Sequence, residues 1–366
     1  MTQFSGTSGL KSALHGVLVI AQAGRMLAHA VRQAGYTPLV IDLYADHDTV
    51  TIAARVWQIK NLSLAEVQAA VANLLLNYKI QWIIYGSGLE NYPETLEYLA
   101  SCSHVTGSDF AIIRQLNAKQ AFFWQLDTLG IQHPEVQFDP PGNNAGWLIK
   151  PVKHVGGLGI RVCNGDAKDS EYYQKFCTGK VRSALFCADG EQFQLIGFHR
   201  QWTVAEDNFA FAGMITADCL SVGQRQTVHH WLKKLVRFYS LKGLASLDFI
   251  SNDQGCFMLE INPRPPASMM LYPEFDLLDA HRTGRVEVTF KDKDFRALQV
   301  VYASRPYKIS PGVEWPEWSF DQPQAATCIL VNQPICSIMA RGKTAEQTLA
   351  RLQGQQTHIE NIILNR

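Results

Sequence analysis

Two carboxylates and a carboxamide stand where strands would carry them. Asp248 lies in Ala245-Ser-Leu-Asp-Phe-Ile250, and Glu260 and Asn262 lie in Met258-Leu-Glu-Ile-Asn-Pro-Arg264. Residues two apart on a strand share a face, so Glu260 and Asn262 project together. The short turn Ser251–Gly255 joins the two segments, so Asp248 can reach the same spot. Acidic groups converging among Leu, Phe, Met and Ile are costly unless a cation pairs them. Hard oxygen ligands in this number suit Mg²⁺, which keeps part of its shell for water and phosphate. The plain alternative is a pair of edge carboxylates facing solvent, and the apolar flanks weigh against it.

A second group supplies positive charge. In Trp147-Leu-Ile-Lys150-Pro-Val-Lys153-His-Val-Gly156-Gly-Leu-Gly159 a strand delivers a lysine into a glycine loop. Glycines 156, 157 and 159 let backbone N–H groups approach phosphate oxygens, while the lysine acts as a point charge. Alone, this pattern reads equally as a hairpin turn. Arg264 follows the metal strand directly, ahead of Pro265-Pro-Ala-Ser268. A rigid turn there would aim a guanidinium fork at a phosphoryl or carboxylate oxygen. A surface arginine in a proline-rich turn is the alternative.

These groups need elements to hold them. Gly16-Val-Leu-Val-Ile-Ala21, a helical stretch Arg25–Ala34 and Pro38-Leu-Val-Ile-Asp42 read as a βαβ unit. A helix over 63–78 and a strand Trp82–Tyr85 complete a small α/β domain. Helical patterns at 108–116 and 118–129 precede a region of strands and glycine turns, a helix at 228–239, and strands at 244–250 and 256–261. The tail mixes strands at 297–302 and 327–331 with a helix near 344–352. The aromatic residues of 121–124 and 231–238 read as core. The turn after the first strand is Ala21-Gln-Ala-Gly24-Arg25 rather than GxGxxG, which disfavours a nicotinamide site.

Composition bounds the function. Of 366 residues 47% are hydrophobic, and 33 basic residues balance 33 acidic ones. A folded core is expected, with no nucleic-acid or membrane partner. No apolar run reaches the ~18 residues needed to span a bilayer. Gly16–Ala23 is too short for a signal peptide, so a cytoplasmic location is expected. The eight cysteines show no zinc spacing and read as reduced, buried thiols.

Taken together, the Lys-Gly loop and the Asp…Glu-x-Asn-Pro-Arg strands resemble the ATP-grasp superfamily of carboxylate–amine ligases. The resemblance implies α/β and α+β architecture: a frayed 1–13, a Rossmann-like preATP-grasp domain at 14–106, an ATP-grasp fold of two α+β subdomains at 107–294, and a C-terminal lobe at 295–366. It implies that Lys119, in Leu116-Asn-Ala-Lys-Gln-Ala-Phe122, and Lys150 touch ATP phosphates under the 156–159 lid. Gln174, Lys175 and Phe176 would sit at the adenine-binding linker, Gln174 standing where an acidic residue is common. Asp248, Glu260 and Asn262 would hold one or two Mg²⁺, with Mn²⁺ as the alternative ion. Lys150 and Arg264 become catalytic, and Glu90, Arg264 and Ser268 become acceptor-substrate ligands. The implied reaction is ATP-driven activation of a small carboxylate as an acyl-phosphate, followed by attack of a small amine. The arrangement is similar to ATP-grasp proteins of one-carbon cofactor biosynthesis, and glutamate is one conceivable acceptor. Homodimers are common among relatives. A biotin-carboxylase-like carboxylase or phosphotransferase, and a non-catalytic nucleotide-binding regulator, remain the alternatives.

Overall fold

Strand β1 (Leu14–Ile20) is followed by α1 (Arg25–Gln33), β2 (Pro38–Asp42), α2 (His47–Ile52), β3 (Arg55–Gln58), α3 (Leu64–Leu75), β4 (Tyr78–Tyr85) and α4 (Pro93–Cys102). The computed structural model describes residues 14–153, 155–205, 208–216, 220–288 and 294–364, and the expected frayed segment 1–13 lies outside them. The strands form a parallel sheet in the order β3-β2-β1-β4. Val17–Ile20 and all of β2 are buried, as continuous apolar runs must be when helices cover both sheet faces. Helix α3 stops at Leu75, earlier than the periodicity implies, and the chain re-enters the sheet from Tyr78. Leu75 and Leu76 are left exposed at the reversal.

Helices α5 (Phe110–Asn117) and α6 (Lys119–Thr128) lead to a small antiparallel sheet. Its strands are β5 (Val136–Gln137), β6 (Trp147–Pro151), β7 (Arg161–Val162) and β8 (Glu171–Lys175), in the order β5-β8-β6-β7. Next come β9 (Lys180–Asp189), β10 (Phe193–Thr203), β11 (Phe211–Ile215), α7 (Val222–Tyr239), β12 (Lys242–Asn252), β13 (Gly255–Asn262) and α8 (Leu277–Thr283). Ser221 and Gln224 close a capping box at the start of α7, which satisfies its first amides. The buried stripe of α7, including Trp231, Leu232 and Leu235, packs on Phe186, Leu247 and Phe249 of the sheet. That packing fixes one face of β9 and β12 and leaves the other free to carry polar groups.

The tail adds β14 (Phe295–Tyr302), β15 (Tyr307–Lys308), β16 (Ser319–Phe320), β17 (Cys328–Ile329), β18 (Pro334–Gly342) and α9 (Ala345–Leu364). Strands β14, β18 and β16 extend the large sheet, whose order is β13-β12-β9-β10-β11-β14-β18-β16. Strand β18 escaped the sequence reading, and only Cys328–Ile329 of the expected 327–331 strand forms. Helix α9 runs twelve residues past the expected end, because Thr348, Leu352, Ile359 and Ile363 keep one face buried through a Gln-rich stretch. The cysteines are not uniformly buried: Cys102 and Cys328 are exposed. Trp124 and Phe238, read as core, are 67% and 48% exposed.

Candidate functional site

Asp248 and Glu260 are direct cross-strand partners in the β12–β13 hairpin, and Ser246 pairs with Asn262. The register slips between Asp248 and Phe249, so Leu259 is an extra residue. Such a bulge lets the adjacent Leu259 and Glu260 both face one cavity, which strict alternation forbids. Asn262 Nδ2 donates to Asp248 Oδ2 at 3.0 Å, and Gln201 Nε2 donates to Asp248 Oδ1 at 3.2 Å. Arg264 Nη2 donates to Asn262 Oδ1 at 3.2 Å, and its Nε donates to Glu90 Oε1 at 3.0 Å. Burial, and then the Glu260 charge, push the Asp248 carboxyl up to about 7, while Arg264, Gln201 and Asn262 pull the other way. The pair therefore calls for a cation. Two carboxylates and an amide oxygen fit Mg²⁺, which needs few protein ligands. Among the described residues no group of three or more His, Cys, Asp or Glu is disposed to hold a metal ion.

Lys150 projects from β6 and is 5% exposed. Its Nζ donates to Gln174 Oε1 at 3.2 Å, while Gln174 Nε2 is buried without a partner. Burial holds Lys150 below its ordinary value, against the opposing pull of Glu260 and Asp248. Lys119, in the first turn of α6, is held down by burial too and is raised by Glu260 and Glu90. These mutual influences place both lysines within the field of the carboxylates. The loop after β6 is anchored to β11, with Phe211 N donating to Gly156 O at 2.8 Å. Gly157 has φ 75°, and a β-carbon there would lie 2.1 Å from Phe209 O, so only glycine allows this approach.

One cavity of about 800 Å³ collects most of the expected residues: Lys150, Gly156, Gly157, Gln174, Lys175, Phe176, Asp248, Glu260, Asn262, Arg264 and Ser268. Lys119, Gly159 and Glu90 do not line it. The Lys175 side chain turns away, donating to Ala145 O at 3.2 Å and lying 5.0 Å from the Trp147 ring centre. The amides of Lys175 and Phe176 donate to Glu135 O and Gly146 O, both at 2.8 Å. A base edge would therefore find other backbone groups of this strand. Gln201 lies outside the motifs read from the sequence. Its place on Asp248 follows from β10–β9 pairing, which sets His199 opposite Ser183 and Gln201 two residues on along the same face. Tyr85 had no signal beyond its strand; its hydroxyl donates to Pro263 O at 2.8 Å and ties β4 to the Arg264 turn. A second cavity of about 720 Å³, near Lys242 at the other end of β12, is lined by none of the expected residues.

Residues 116–268 match the family model of the ATP-grasp domain. The chain carries an ATP-grasp domain. The ATP-grasp match takes in both lysines, the glycine loop, the carboxylate hairpin and Arg264, and leaves Glu90 outside. A curated relative is the arginine-specific large chain of carbamoyl phosphate synthase from Bacillus subtilis (strain 168), 23% identical over 282 residues. The match covers 69% of this chain and 25% of that protein, so the chain spans about a quarter of its relative's length. Among solved structures, N5-carboxyaminoimidazole ribonucleotide synthetase from Thermotoga maritima superposes with TM-score 0.69 at 13% identity, covering 93% of this chain and 98% of that one. The biotin carboxylase domain dimer of Hydrogenobacter thermophilus 2-oxoglutarate carboxylase, bound to MgADP and bicarbonate, superposes with TM-score 0.71 at 12% identity, covering 92% and 88%. At such identities these structures share the fold of this chain.

Proposed function

We propose that this chain is an ATP-dependent ligase that activates a carboxylate as an acyl-phosphate for attack by an amine. The observation that carries this reading is a buried lysine, Lys150, sharing one cavity with the paired Asp248 and Glu260 and with Arg264. The similar proteins support it: a carbamoyl phosphate synthase chain, a ribonucleotide synthetase and an MgADP-bound carboxylase domain.

Each residue has a physical task. Lys119 and Lys150 offset the charge of the polyphosphate, and the carboxylates beside them help keep both lysines protonated despite burial. Asp248, Glu260 and the Asn262 oxygen would hold Mg²⁺, or Mn²⁺ in its place. When bound, that ion neutralises phosphate oxygens. A carboxylate oxygen of the substrate attacks the γ-phosphorus and ADP leaves; the amine then attacks the acyl carbon, phosphate leaves and the amine loses a proton. Arg264 forks toward the transferred group. The glycine loop, pinned to β11, keeps water from the reactive acyl-phosphate. Ser268, 1% exposed with an unpartnered hydroxyl, and Glu90, whose Oε2 is buried without a partner, serve the acceptor side.

The test is ADP and phosphate release by the purified chain with ATP and Mg²⁺, across a matrix of carboxylates and amines. Release that needs both components supports the ligase. Release driven by bicarbonate alone would move the reading to a carboxylase. Nucleotide-dependent thermal stabilisation without ADP in any mixture would leave a regulatory binder. A homodimer is the assembly this reading expects, and a solution mass of twice 41.0 kDa checks it.

A further inference from the structure

Helix α1 and the tail wall one side of the cavity, its far arm. Met26, Met270, Leu298, Val300, Asp321 and Ser337 line this arm. Asp321 is the one charged residue in that set, and its side chain is 26% exposed. The segment that carries it is docked firmly on the N-terminal sheet domain. Asp321 N and Gln322 N donate to the two oxygens of Asp48 at 2.9 and 3.1 Å, and His47 N donates to Gln322 O at 2.7 Å.

Behind Asp321 the charge balance is one-sided. Arg25 Nε lies 3.2 Å from Asp321 Oδ1 and 3.8 Å from Asp48 Oδ2. Asp42 accepts from the amides of Gly24 and Ala45 at 3.1 and 2.8 Å. Asp46 is 8% exposed, makes no cap hydrogen bond to α2, and feels only burial and neighbouring charges. Four carboxylates thus face a single guanidinium. Burial and the other carboxylates push the Asp46 carboxyl up to about 8, so a proton relieves part of the excess. The rest projects into the arm through Asp321. Asp321 shares Arg25 with Asp48, so the wall keeps an excess of negative charge, and a low-dielectric pocket with such a wall attracts a cation and repels an anion. Methionine, leucine and valine walls adapt to an apolar body.

Given the ligase reading of the site, we propose that the acceptor is an amine with an apolar body carrying a positive centre, and that Asp321 is the residue that selects it. Asp321 meets that centre while the nucleophilic nitrogen points toward Arg264. An acidic acceptor such as glutamate would set a second negative charge against Asp321 and is rejected.

The experiment is calorimetric titration of the full chain, with ADP and Mg²⁺ present, using four probes of one carbon length: diaminohexane, hexylamine, hexanol and hexanoate. The expected order is diamine, amine, alcohol, acid, with about a tenfold gap between the diamine and the alcohol, as for one charge-assisted contact. In Asp321→Asn that gap closes while ADP binding is unchanged. The wild-type order decides the matter even where the variant does not fold: hexanol or hexanoate binding as tightly as the amines overturns the proposal. An unaltered order in a folded Asp321→Asn overturns it as well. The ligase reading fails separately. Amines that bind in this order without ever supporting ADP release, whatever the carboxylate, would sink the ligase and leave the selective arm standing. ADP release with acidic acceptors, indifferent to Asp321→Asn, would sink the arm and leave the ligase.

Discussion

Around Lys150 the cations Lys119, Lys150 and Arg264 stand against Glu90, Asp248 and Glu260. Around Asp321, among the described residues, Arg25 stands against Asp42, Asp46, Asp48 and Asp321. The first region is balanced only while it is empty of ligand. Its cations and acids already engage one another, as Arg264 does with Glu90 at 3.0 Å, so a polyphosphate and its metal ion can exchange with these internal partners. The second region is unbalanced, since Asp321 and Asp48 share the one guanidinium of Arg25. It relieves its charge by protonation and by what it attracts. The difference teaches that buried charge serves two purposes in one cavity: pre-organised exchange at one end and selection at the other.

The comparison can be broken most sharply at Lys150. Lys150→Met removes the buried cation of the balanced end, and ADP formation should fall about 10²–10³-fold, as when a single transition-state contact is lost. Steady-state kinetics checks this, and a fall below tenfold would show that the lysine does not face the reacting phosphates. Next in size is Glu90→Gln. Both side chains of its pair with Arg264 are nearly buried, so the variant should lose about 3 kcal/mol in denaturant unfolding. Added ATP with Mg²⁺ should recover more stability in the variant than in the parent, since the phosphates now pair the stranded guanidinium.

Two pH limbs sharpen the contrast further. His199 and His281 are buried neutral, and burial lowers them to about 3 and about 4. The unfolded chain takes up their protons first, so stability should be lost as pH falls from 6.5 toward 4, by at most about 1.4 kcal/mol per unit for each histidine. Asp46 acts in the opposite sense with a single group. Its carboxyl is raised from 3.8 to about 8, so its contribution is present below 3.8 and is lost as pH rises toward 8. Asp46→Asn should flatten that alkaline limb in denaturant midpoints measured from pH 6.5 to 8 and, because the Asp46 contribution fades over the whole interval from 3.8 to 8, steepen the rise from pH 4 to 6.5. An unchanged alkaline slope would show that the acid corner is not strained.

Much of the balanced end was legible because its information is local. Glu260, Asn262 and Arg264 lie within five residues of one strand and its exit, and a short turn brings Asp248 opposite them. Lys150 announces itself by the glycines that follow. The far arm had no such signal. Asp321 approaches Asp48 across 273 residues, and neither stretch carries a motif. Glu90 illustrates the middle case: its position at a strand's carboxyl end was readable, but its pairing with Arg264 depends on how two sheets meet. Lys175 lines the cavity while its Nζ lies over the Trp147 ring, a direction that no local pattern foretells. Strand β18 and the second half of α9 were missed because each depends on a partner far away in sequence for its buried face.

Because β14 hydrogen-bonds to β11 through Ala297, Leu298 and Gln299, strands β14, β18 and β16 of the tail belong to the same hydrogen-bonded ribbon as the carboxylate hairpin. A chain cut after Val288 would leave β11 with a raw edge of unpaired amides and carbonyls, together with the apolar side chains of Met214 and Ile215 stripped of cover. Such an edge invites pairing with other molecules. Anyone trimming this protein from its C-terminal side should expect inclusion bodies.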